Sequence, residues 1–116
     1  MPTPNSVVFM RRAAAMRRRA IEGGDQGYGA VIVKAGMIVG EAPSRVVTAG
    51  DPTAHAEMEA IRDASRRLGT ADLAGCIMYS TSPPCAMCET AAHWANVTGL
   101  VHGGDISPVA PRYRQC

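Results

Sequence analysis

Residues 76–104 read "CIMYSTSPPCAMCETAAHWANVTGLVHGG", and this stretch decides the fold. Its opening, "CIMYSTS", has the character of a strand. Pro83 and Pro84 turn the chain directly into a helical segment, "PPCAMCETAAHWAN", and "GLVHGG" follows as a further short strand. A helix between consecutive strands is the crossover that parallel neighbours require. Residues 51–69, "DPTAHAEMEAIRDASRRLG", also read as a helix between strand signals. Two such helices predict an α/β sheet covered on both faces.

In that earlier helix, Asp51 or Thr53 can serve as cap, and Pro52 suits the first turn, where a missing N–H costs nothing. Ala60, Ile61, Ala64 and Leu68 form its inward face. Glu59–Arg62 and Asp63–Arg67 stand at pairing spacings, and Gly69 stops it. Upstream, "AVIVKAGMIVGEA" reads as a hairpin turning at Lys34-Ala35-Gly36, and "PSRVVTAGDP" as a loop. A first helix covers residues 5–22, with Phe9, Ala13, Met16 and Ala20 as one buried stripe. No linker divides the chain, so residues 1–116 read as one domain, with "DISPVAPRYRQC" (105–116) as a short irregular tail.

With 116 residues, 47% hydrophobic and 19% charged, the chain suits one globular unit with one core. The net charge of +2 says little about partners. Arg11, Arg12, Arg17, Arg18 and Arg19 crowd a beginning that holds no acid before Glu22. An organellar leader has that composition, but the apolar stripe favours a structural helix with its arginines in water. No apolar run approaches the ~20 residues of a membrane helix, so no membrane partner is expected. Four cysteines (Cys76, Cys85, Cys88, Cys116) without an export signal argue against a disulfide framework and for the cytoplasm.

Cys85 and Cys88 share one face at the start of a helix. Pro84 leaves the first N–H groups and the positive dipole end directed at the thiols, which favours the thiolate. Alone, the pair fits a redox site, half a structural zinc site, or two core residues. His55, at the mouth of the other helix, adds a third soft donor. One imidazole and two thiolates leave a position of the zinc tetrahedron open, as catalytic sites do and structural sites do not. Glu57 leans over the same opening, where a carboxylate can move protons to and from a water whose pKa zinc has lowered. One Zn2+ per chain is expected. A structural site closed by Cys76, His93, His102 or Cys116 is the rival, and it leaves Glu57 without a role. H-x-E followed by P-C-x-x-C is the zinc deaminase signature.

Three stretches carry a resemblance: "YGAVIVKAG" (28–36), "DPTAHAEMEAIR" (51–62) and "CAMCETAAHWAN" (85–96). Over roughly residues 8–104 the chain resembles the cytidine/nucleobase deaminase superfamily. It looks most like the bacterial guanine deaminases, and the tRNA adenosine deaminases share most of the same features. The resemblance implies a three-layer α-β-α sandwich with a mixed central sheet of four to five strands, usually assembled as dimers or tetramers. It implies His55, Cys85 and Cys88 as zinc ligands and Glu57 as proton shuttle. Substrate contacts would come from Tyr28, the backbone amide of Ala56, Ser44, Pro83 and Trp94; Trp94 also resembles a family tryptophan near a subunit interface. Some positions depart from the family. Pro43-Ser44-Arg45 stands where an asparagine usually contacts substrate, and Pro83 where an acid or serine is common. The chain also stops near where relatives add a further strand and helix.

The expected function is zinc-dependent hydrolytic deamination of a nucleobase or related heterocycle, with guanine, giving xanthine and ammonia, placed first. Cytosine, a free nucleoside, another heterocycle and tRNA adenosine are the enzymatic alternatives, and a zinc-stabilised interaction module is the non-enzymatic one. A small-molecule substrate is favoured over nucleic acid, because no basic, aromatic-interleaved track adjoins the motifs. A homodimer is expected, since a sheet edge and the Trp94 helix need cover.

Overall fold

The computed structural model describes residues 4–102 and the backbone of residues 105–108. Helix α1 spans Pro4–Glu22, strand β1 Gly29–Lys34, strand β2 Met37–Pro43 and helix α2 Ala56–Leu68. Strand β3 spans Cys76–Ser80, helix α3 Ala86–Trp94, strand β4 Gly99–His102 and strand β5 Asp105–Pro108. The sheet order is β2-β1-β3-β4-β5. Strand β1 runs antiparallel to β2 and β3, β3 parallel to β4, and β4 antiparallel to β5. The crossover expected within residues 76–104 is therefore β3-α3-β4. Strands β2 and β3 also run the same way, with α2 connecting them past β1.

Alternation along β1 sorts the core into two faces. Phe9 and Ala13 of α1 pack with Val31, Val33, Tyr79 and Val101. Ala56, Ala60 and Ala64 of α2 and Ala92 of α3 pack with Ala30, Ile32, Met78 and Leu100 on the other. Helices thus cover both faces of a mixed sheet, the three layers expected. The α1 stripe is buried throughout, from Phe9 to Ala20. Small residues set the helix distances: a Cβ at Gly40 would lie 2.7 Å from the Ala60 carbonyl oxygen and the Ala64 Cβ. Gly29 is equally crowded by Ala13, Met16 and Arg17 of α1.

The hairpin turns through Ala35 and Gly36, with φ of 52° and 77°, between the paired Lys34 and Met37. Two left-handed residues are what a tight two-residue hairpin needs. Ile32 pairs with Gly40 but Val33 with Ile38, so Val39 is an extra residue in β2. This bulge turns Ile38 toward α1 and leaves Val39 on the α2 face.

Several expectations need correction. Helix α2 begins at Ala56, later than an Asp51 or Thr53 cap allows. Asp51 is engaged in its own turn, accepting from the Thr53 N–H at 2.8 Å and the Thr53 hydroxyl at 2.7 Å. Helix α3 likewise starts at Ala86, with Cys85 as its cap residue. Leu68, in the last turn of α2, is 36% exposed and not part of the buried face. Residues 105–108 are not irregular but pair with β4 as strand β5. Residues 109–116, with Cys116, lie outside the described residues. Gly69 ends α2 in the left-handed conformation (φ 68°), as expected. Among the described residues, no helix is long and apolar enough to cross a membrane.

Candidate metal centre and catalytic cleft

Because β2 and β3 are parallel, α2 and α3 both begin at the same end of the sheet, beyond the carboxyl ends of those strands. Sheets of this kind bind ligands at that end. His55 is the cap residue of α2 and Cys85 of α3; both are extended, and neither caps its helix through its side chain. The imidazole and the thiol are therefore available to a ligand, and first-turn amides from two helices converge on them. Cys88 lies three residues into α3 and is fully buried.

The His55 Nδ1 lies 3.6 Å from the Cys85 Sγ and 3.6 Å from the Cys88 Sγ. All three donor atoms fall within 4.8 Å of one another. Tetrahedral zinc with bonds of ~2.0 Å to nitrogen and ~2.3 Å to sulfur sets those atoms about 3.6 Å apart. The donor set fits zinc. Among the described residues no fourth His, Cys, Asp or Glu joins the group, so Cys76, His93 and His102 do not close it. Burial pushes the Cys88 thiol pKa up, helped by Glu57 and Cys85 and opposed by the Met58 N–H. Without a cation the sulfur keeps its proton; zinc supplies the charge that favours thiolate.

Glu57 follows His55 by two residues and is 5% exposed. Burial raises its pKa above the usual carboxylate range; its own N–H, His55 and the Ser80 hydroxyl pull the other way. A sheltered carboxyl with increased proton affinity suits general acid–base work near neutral pH.

These groups open into a cleft of about 290 Å³ lined by Gln26, Tyr28, His55, Glu57, Ser82, Pro83 and Cys85. Tyr28 and Pro83 line this cleft beside the metal donors. Ala56 is the first residue of α2, its amide between His55 and Glu57 in the first turn. The rim is well tied. Gly29 and Thr81 exchange two hydrogen bonds, backbone N–H to Oγ1 and N–H to carbonyl, each 3.1 Å. Arg17 Nε donates to the Gly27 carbonyl at 3.2 Å.

Two expected substrate contacts do not fit their positions. Ser44 is buried, donates its hydroxyl to Asp25 Oδ1 at 3.0 Å, and lines a separate depression of about 390 Å³. Its short side chain is held there and does not line the cleft. Trp94 closes the far end of α3, nine residues from the Cys85 cap, about 13 Å of helix rise at ~1.5 Å per residue, and is not among the residues lining the cleft. Gln26 and Ser82 were missed by sequence reasoning. The available signal was their position beside Tyr28 and Pro83, in loops where no periodicity marks a functional side.

A three-layer mixed sheet that sets an H-x-E helix start against a P-C-x-x-C helix start defines the zinc-dependent deaminases. Residues 4–103 match the cytidine and deoxycytidylate deaminase zinc-binding region, and the chain belongs to this family of zinc-binding hydrolases acting on carbon–nitrogen bonds. The interaction-module alternative is set aside by that membership. The guanine deaminase of Bacillus subtilis (strain 168) is 39% identical over 107 residues, which cover 91% of this chain and 69% of that protein. A tRNA-specific adenosine deaminase of Aquifex aeolicus (strain VF5) is 42% identical over 106 residues, 85% of this chain and 70% of that one. A solved chain from a study of tRNA:A34 deaminases superposes with a TM-score of 0.81 at 36% identity, over 84% of this chain and 70% of that one. Relatives named for tRNA match as well as those named for guanine. The likeness therefore does not carry the expectation of a small molecule over nucleic acid.

Proposed function

We propose that this enzyme deaminates guanine to xanthine, consuming water and releasing ammonia. The observation that carries the deamination chemistry is the position of Glu57, buried and lining the cleft beside the metal donors yet outside the ligand set. Guanine is placed first on the likeness to the Bacillus subtilis guanine deaminase. Zinc, when bound by His55, Cys85 and Cys88, supplies a Lewis acid that makes hydroxide available at neutral pH. Glu57 takes a proton from the attacking water as it adds to the ring carbon bearing the amine. It returns that proton to the neighbouring ring nitrogen, then carries the remaining proton of the added hydroxyl to the amine, so that ammonia leaves as the ring carbonyl forms. Tyr28 and Pro83 offer flat apolar surfaces to the ring, and the Ala56 amide donates from the helix start.

A second reading, deamination of an adenosine in tRNA, is favoured by one observation. A shallower depression continues the cleft past Gln26, Tyr28 and Ser82 and is lined by Arg17, which suits a phosphate-bearing substrate. An ammonia-release assay on guanine, cytosine, free nucleosides and a tRNA anticodon stem-loop tests both. Guanine turnover is expected; turnover of the stem-loop without guanine hands the site to the second reading. The same proposal puts the enzyme in the cytoplasm, where Cys85 and Cys88 stay reduced. It makes the enzyme a homodimer with Trp94, 43% exposed, near the subunit contact; a monomer in sedimentation would refute the dimer.

A further inference from the structure

We propose that Gln26 reads the lactam edge of the substrate ring and is the specificity-determining residue of the cleft. His55 and Cys85 are committed to the metal and Glu57 to proton transfer, while Tyr28 and Pro83 present mainly apolar surface. Ser44 is turned away onto Asp25. Ser82 adds a single hydroxyl, and among the described residues Gln26 is the one carboxamide lining the cleft, the one group there with paired donor and acceptor.

Its placement is fixed although its side chain is exposed. The Gln26 N–H donates to Asp25 Oδ1 at 2.8 Å, and its carbonyl accepts from the Tyr28 N–H at 2.8 Å. Asp25 is itself held by the Thr48 N–H at 2.7 Å and the Ser44 hydroxyl at 3.0 Å. Among the described residues the carboxamide makes no hydrogen bond, so a ligand meets both its N–H donors and its carbonyl acceptor.

Guanine carries the complement beside its reacting carbon: a carbonyl acceptor at C6 next to the N1–H donor. Two hydrogen bonds to that edge hold the ring with its 2-amino carbon toward the metal. Adenine, whose amine is the leaving group, offers only acceptors, N1 and N3, on its six-membered ring. Gln26 thereby favours 6-oxo purines.

This inference rests on the deaminase reading above, and steady-state kinetics of the zinc-loaded full chain separate the two. Gln26→Leu is expected to raise KM for guanine about tenfold or more, leaving kcat within about twofold because the contact is made equally in ground and transition states. Gln26→Glu, which keeps the shape but loses the donors, should do the same. Zinc content and melting temperature stay at wild-type values in both. An unchanged KM in Gln26→Leu overturns the inference. If wild type spares guanine but deaminates another base, the guanine reading has failed and the lactam argument with it. A wild type that turns over no base or nucleoside overturns both.

Discussion

The His55 Nδ1 and the Cys88 Sγ stand 3.6 Å apart across the seam where α2 and α3 begin. Helix α2 otherwise packs on β2 and β1, and its contact with α3 is slight. An ion held between them therefore fastens two helix ends as well as activating water.

Removing zinc should lower both stability and activity. A ligand present at a thousandfold its Kd contributes about 4 kcal/mol to the folded state. Chelation should thus lower the melting temperature by several degrees and abolish ammonia release, and added zinc should restore both. Cys88→Ser should bind far less than one zinc per chain by elemental analysis and should not be rescued.

Glu57→Gln separates chemistry from metal binding. The carboxylate lies outside the donor cluster, so zinc content should stay at one per chain. Loss of a general acid–base typically costs about 10²–10⁴ in rate, and kcat should fall at least that far. A variant that lost zinc in parallel would make Glu57 a ligand.

Gly40→Ala should destabilise the fold. Its methyl would meet backbone and Cβ atoms of α2 at 2.7 Å, where no flexible side chain can yield. Overpacking of this kind costs about 1–3 kcal/mol, read as a lower urea midpoint. Gly29→Ala should cost as much on the α1 face. A change below the noise in both would mean the helices can move outward freely.

The Arg12–Glu41 pair predicts a pH dependence. Arg12 Nε and a terminal guanidinium nitrogen reach the two Glu41 oxygens at 2.7 and 2.8 Å. The Arg12 hydrogen bond holds the Glu41 carboxyl below its usual pKa, against the effect of burial. A folded-state pKa depressed in this way adds stability above the unfolded value of about 4.3, and that stability is lost as pH falls through the folded value. Arg12 is about half exposed, so the gain is small, about 0.5–1 kcal/mol. Glu41→Gln should unfold earlier than wild type at pH 7, and the gap should narrow as the pH falls below about 4.3. A constant gap would exclude the ion pair as its source.

What was legible in the sequence was either periodic or confined to neighbouring residues. The Phe9–Ala20 stripe, the Ala35-Gly36 turn, the Gly69 stop and the two metal motifs all belong to that kind. The start of α2 was misplaced because Asp51 and Thr53 bond each other in a turn of their own, competing with the capping role their types suggest. Strand β5 is four residues long, too short to show alternation. Gln26 and Ser82 became visible as site residues only through pairing. Because Ala30 lies opposite Ser80, the loop before β1 meets the loop after β3, and nothing local announces that meeting. Ser44 is the converse: its fate depends on Asp25, nineteen positions away.

His55, Glu57, Cys85 and Cys88 ride on helix starts, whereas Gln26 and Tyr28 ride on the short connection from α1 into β1. On the role proposed for Gln26, one determinant of substrate choice is thus mounted apart from the reaction centre. A mutant library confined to positions 26–28 would explore new target compounds while the reaction centre stays as it is, which makes this small enzyme a convenient starting point for laboratory evolution.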